Sequence, residues 1–159
     1  MTIRFDEPGP PASPDAIRDT ERRLGVTLPE DYKAFLQEQN GGEPEPNFLE
    51  GGEDIGGAHV RYFLSAGPSG IEGLEDLESV RWEYSRDGDA DYVLDTSVLP
   101  IGQDAFGNLI CLKVSGEDYG AVYIWDHEEA DDAEAYARAT GSFNAFFEAL
   151  RPEDELDVS

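Results

Sequence analysis

The chain is short of cations, short of cysteine and without a long apolar run, and each shortage excludes a class of function. Lysine and arginine together number 11 against 36 aspartates and glutamates, leaving a formal charge of −25. Nucleic-acid binding rests on clustered cations that neutralise phosphates, and an anionic membrane repels an acidic surface, so neither is an expected partner. The lone Cys111 permits no internal disulfide, in keeping with a reducing compartment. No apolar stretch approaches the roughly 20 residues that a membrane helix requires. The opening segment MTIRFDEPGPP has neither the basic start nor the apolar stretch of a secretory signal. A cytoplasmic location is therefore expected.

The usual marks of catalysis are also missing. No G-x-S-x-G elbow occurs, and the GPSG at 67–70 lacks its second half. The GGEDIGG at 51–57 has no lysine and opens no helix, unlike a phosphate-binding loop. Asp87, Asp89 and Asp91 copy the first three ligand positions of a calcium loop. The sixth position, however, is Tyr92 rather than glycine and the twelfth is Val98 rather than glutamate. In DHEEADD, His127 stands among carboxylates, but His59 is the only other histidine, too few for a patterned zinc site. Cys111 falls mid-strand, where a free thiol acts as a small apolar residue. The expectation is no enzyme, no metal and no cofactor.

What the chain does have is enough apolar residue, 39% with 11% aromatic, to close one core over 159 residues. Residues 1–12 are proline-rich and read as a loose arm. SPDAIRDTERRLG predicts a helix: Ser13 as N-cap, Pro14 in the first position, Asp15 at the positive end of the dipole, Gly25 as the stop. Ile17, Glu21 and Leu24 share a face. LPEDYKAFLQEQNGG predicts a second helix from Pro29, with Tyr32, Phe35, Leu36 and Gln39 in one stripe and Asn40-Gly41-Gly42 ending it. Residues 43–57 read as an acidic, turn-rich loop with a short extended piece at Phe48-Leu49. A strand follows over 59–65, then a helix over 71–84 with Leu74, Leu77, Arg81 and Tyr84 on one face, then a charged loop over 85–91. VLPIGQDA, NLICLKV and AVYIWDH are strands joined by turns at 106–108 and 115–120. SFNAFFEAL predicts a closing helix that buries Phe143, Phe146, Phe147 and Leu150, and 152–159 is an acidic tail. Helices at both ends with strands grouped between them indicate an α+β domain over 13–151.

Three segments, in order, carry a resemblance: Glu21 with LGVTLPEDYKAFLQEQNGG, then VLPIGQDAFGNLICLKVSG, then AVYIWDHE ahead of a helix with paired phenylalanines. Across residues 13–150 the chain resembles the SUKH superfamily, the Smi/Knr-like group of fungal cell-wall regulators and many bacterial immunity proteins. The resemblance implies a single α+β domain, a central mainly antiparallel sheet with helices packed against it, and no catalytic activity. It also implies a protein partner, which for many bacterial members is a polymorphic toxin, often a nuclease. Pro29, Gly41, Gly42, Gly107 and Asn108 are explained by helix and turn geometry, and Glu21 by a backbone donor nearby.

Strand alternation sets Ile110, Leu112 and Val114 opposite Leu109, Cys111 and Lys113, and Val122 and Ile124 opposite Tyr123 and Trp125. Both faces are partly apolar. One meets the helices; the other is either covered by the rest of the chain or open to a partner, with Trp125 either core or contact. A basic toxin domain would meet the acidic segments, with carboxylates standing where phosphates bind. The residues expected at that contact are Glu50, Glu53, Asp54, Asp87, Asp89, Asp91, Tyr123, Trp125, Asp126, Glu128 and Glu129. The competing reading is a regulatory or scaffold domain whose acidity reflects a saline cytoplasm. Only two of the cations are lysine, Lys33 and Lys113, which fits that reading as well as an arginine-favouring genome.

Overall fold

The structure is a computed structural model that describes residues 4–6, 11–45, 47–49, 58–67, 76–88, 93–129 and 136–151. Two capped helices open the domain. In α1 (Pro14–Leu24) the Ser13 hydroxyl accepts from the Ala16 amide, and Gly25 closes the helix at φ 71°. The Glu21 carboxylate then accepts from the Leu28 amide at 2.8 Å and so fixes the link to the next helix. In α2 (Glu30–Glu38), Tyr32, Phe35 and Leu36 are buried.

The stop after α2 has a tertiary cause as well as a local one. Gly41 and Gly42 take φ of 85° and 114°, open to glycine at little cost. A Cβ on Gly41 would stand 2.8 Å from the carbonyl oxygens of Phe63 and Leu64. Gly42 pairs with Phe63, and the buried Asn40 side chain closes a two-way hydrogen bond with the Ala66 backbone. The helix ends where it must touch the sheet.

That sheet has six strands in sequential order: β3 (Phe48–Leu49), β4 (Ala58–Phe63), β5 (Val98–Asp104), β6 (Leu109–Lys113), β7 (Val122–Trp125) and β8 (Tyr136–Thr140). Every neighbouring pair is antiparallel. Helix α3 (Leu77–Glu83) is inserted between β4 and β5, and α4 (Phe143–Glu148) follows β8. The α+β architecture implied by the resemblance is present.

On one face Leu99, Ile101, Ile110, Leu112, Val122 and Ile124 join the large core with the helices. At its centre Phe35 lies 4.9 Å from Phe143, 5.4 Å from Phe63 and 5.2 Å from Phe147, mostly edge-on or tilted. Asp31 ties α2 to α4 over this cluster, its carboxylate accepting from the Asn144 amide in the first turn of α4. On the opposite face a smaller cluster forms from Leu94, Val98, Leu109, Cys111 and Trp125, edged by Tyr84, Tyr123 and Tyr136.

Four expectations differ from the structure. Residues 4–6, read as part of a loose arm, form β1 (Arg4–Asp6), which pairs antiparallel with β2 (Glu43–Glu45) in a two-stranded sheet. The Pro44 at its centre hides that strand from sequence reasoning, because proline is tolerated only in edge positions. Strand β8 was not expected, since YARAT has no apolar alternation to announce it. The third helix begins at Leu77 rather than Ile71, because the Asp76 carboxylate caps it through the Ser79 amide; residues 71–75 lie outside the described residues. Trp125 is 2% exposed and packs edge-on against Tyr84, so its side chain belongs to the core rather than to a contact surface.

Candidate functional site

A sequential antiparallel sheet gathers every second connection at one end. The pairings Leu49 with Ala58, Val60 with Asp104, Gln103 with Leu109, and Trp125 with Tyr136 put the end of β3, the start of β4, the 105–108 turn, the end of β7 and the start of β8 at the same end. From β4 to β7 is three strand spacings, about 14 Å. This end is narrow enough to meet one partner domain.

Its centre is the DAFGN turn between β5 and β6. Asp104 is 3% exposed and builds the turn from within. One carboxylate oxygen accepts from the amides of Phe106 and Asn108, both at 2.8 Å, and the other from the Asn108 side-chain amide at 3.1 Å. Gly107 turns the chain at φ 88°. Phe106 is thereby left 68% exposed at the tip.

Both histidines of the chain flank this turn. The His59 ring lies 6.2 Å from Phe106 and 4.5 Å from Phe48, so three rings run across the tips of β3, β4 and β5. On the other side His127 Nδ1 lies 2.7 Å from Asn108 Oδ1, a geometry in which the ring N–H donates and the amide oxygen accepts. His127 opens a single 3₁₀ turn (His127–Glu129), which the Asp126 carboxylate caps through the Glu128 amide at 2.9 Å. Asp104, Asn108 and His127 thus form one hydrogen-bonded chain that fixes the position of the exposed phenylalanine.

The expected contact residues are distributed unevenly over this frame. Half-buried Asp126 and exposed Glu128 belong to the tip end, and Glu129 ends the 3₁₀ turn. Tyr123 does not: its hydroxyl donates to Asp118 at 2.9 Å, in the turn at the opposite end of the sheet. Burial first, and then this hydrogen bond to a carboxylate, pushes the Tyr123 hydroxyl above its ordinary pKa. Asp87 is exposed in the turn that follows α3. Glu50, Glu53, Asp54, Asp89 and Asp91 lie outside the described residues.

Sequence reasoning missed Phe106, Asp104 and His59 as members of a site. The available signal was an aromatic residue at the tip of a tight turn, where polar residues are usual.

Among the described residues no three His, Cys, Asp or Glu side chains converge to hold a metal ion. A cavity of about 80 Å³ under α3, lined by Tyr62, Val80, Glu83, Tyr84, Gln103 and Leu109, has room for a few waters. No helix is long and apolar enough to cross a membrane, among the described residues.

A protein-family model described as the SMI1 / KNR4 family (SUKH-1) matches residues 11–149. The chain belongs to the SMI1/KNR4 family. A Bacillus subtilis (strain 168) relative described as uncharacterized protein YnaB is 61% identical to it over 42 residues, 26% of this chain and 27% of the relative. The match therefore spans about a quarter of that protein. In this SMI1/KNR4 domain the family match covers both helical caps, the DAFGN turn and all six strands of the main sheet.

Proposed function

We propose that this SMI1/KNR4 domain is a non-catalytic binding module, an immunity protein that occludes a basic toxin domain with the tip end of its sheet. One observation carries the reading: a phenylalanine 68% exposed on a rigidly hydrogen-bonded turn, on a chain of net charge −25. An exposed aromatic anchor edged by charge is the composition of a binding hot spot. Asp126 and Glu128, at the same end of the sheet, would meet cationic groups that otherwise hold phosphates. The surrounding field steers a basic partner toward encounter.

Capture with the tagged protein at low salt tests this. The expected result is one basic protein held in stoichiometric amount, released by added salt, and not held by Phe106→Ala. That protein should be toxic when produced alone and harmless when produced with this chain. Capture that is indifferent to salt removes the electrostatic part. Undiminished capture by Phe106→Ala removes the tip as the contact. A domain that unfolds in dilute buffer and recovers in molar salt favours instead the salt-adapted scaffold.

A further inference from the structure

A second exposed aromatic lies on α3. Trp82 is 51% exposed and lines an open groove with Glu78, Ser79 and Glu83. Glu78 and Trp82 are four residues apart on one helix and therefore share a face. The turn after α3 is folded hard against this helix end. A Cβ on Gly88 would stand 2.0 Å from the Trp82 carbonyl oxygen and 2.3 Å from that of Glu83. Ser85 donates to the same Trp82 carbonyl from both its amide and its hydroxyl. Asp87, adjacent to Gly88, is held in that turn. An indole bordered by carboxylates is therefore presented on a fixed backbone.

We infer that Trp82, with Glu78 and Glu83, is a receptor for an arginine side chain of a protein partner. The chemistry is specific in kind. A guanidinium stacks on the indole face while its N–H groups reach carboxylates, which a compact ammonium does less well. The chain itself supplies a precedent at one of these carboxylates. Arg23 reaches from α1 to place Nη1 3.3 Å from Glu78 Oε1. Glu83 has no ion-pair partner among the described residues and supplies the second carboxylate. The inference does not depend on the tip being a contact.

The test uses the whole protein with capped tri-arginine and tri-lysine peptides at low ionic strength. Nitrogen-edited NMR reads the two indole N–H signals, one exposed from Trp82 and one buried from Trp125. The expected result is that tri-arginine moves the Trp82 signal, leaves Trp125 in place, and binds more tightly than tri-lysine. By calorimetry, Trp82→Ala should weaken tri-arginine about three- to tenfold, as should the double change Glu78→Gln with Glu83→Gln. Phe106→Ala should leave this affinity unchanged. An unmoved Trp82 signal, equal affinity in Trp82→Ala, or loss on Phe106→Ala would each overturn the assignment. The Trp125 signal reports in every variant that the domain is folded.

Discussion

Leu112 and Leu109 lie three residues apart on the same strand and are almost equally hidden, at 0% and 3% exposed, yet they belong to different cores. Leu112 belongs to the large core, with Phe35, Phe63, Phe143 and Phe146. Leu109 sits in the smaller cluster, covered by Tyr84, Leu94 and Val98. That cover is thin and is held at its ends by a few hydrogen bonds. The Leu94 amide donates to the Tyr84 carbonyl, and the Tyr136 hydroxyl accepts from the Asp95 amide at 3.0 Å. Equal burial therefore does not mean equal anchorage. One face of the sheet, with Leu77 and Val80 of α3, holds the domain together; the other, through Tyr84 and Leu94, anchors the chain that follows α3.

The comparison can be broken by truncation. Leu112→Ala should lose about 4–5 kcal/mol in urea unfolding and Leu109→Ala about 2–3, because the thinner cover collapses into the cavity more easily. Equal losses would refute the distinction. Asp104→Ala should lose roughly 1–3 kcal/mol, since it strands the amides of Phe106 and Asn108. It should also release the tip, which hydrogen exchange at Phe106 and Asn108 would show. Gly88→Ala should cost about 1–3 kcal/mol by forcing the turn off the end of α3, with faster exchange at 85–88 and 93–97. Phe106→Ala should change stability by less than about 0.5 kcal/mol while abolishing partner capture. The smallest effect sharpens the contrast from the chemical side. Cys111 is fully buried on the thinner face and burial pushes its thiol well above the ordinary range. Thiol reagents should leave the native protein unlabelled and react only after unfolding. Labelling without unfolding would show that the thin cover opens by itself.

Much of this frame was legible because its signals are local. Ser13, Gly25 and Ser142 mark helix ends through hydrogen bonds made within a few residues. The alternation in NLICLKV and AVYIWD separates the two cores residue by residue, including the side that holds Trp125. What escaped reading depends on distant partners. Asn40 looks like a helix stop, but its amide is buried against Ala66, 26 residues away. Strand β8 is defined by its pairing with β7, not by its own composition. Phe106 and His59 are 47 positions apart and become neighbours only when β4 and β5 align. The acidic clusters were easy to see, but composition alone did not show that one belongs to the tips and another to α3.

The sequential order of the sheet has a further consequence for change over generations. Each strand from β3 to β8 pairs with its neighbour in sequence, so none waits on a crossover past another strand for its register. The connection at any one tip can be lengthened, shortened or rewritten while the strands on either side keep their partners. Whatever surface those tips present can be revised one connection at a time, leaving the phenylalanine cluster beneath untouched.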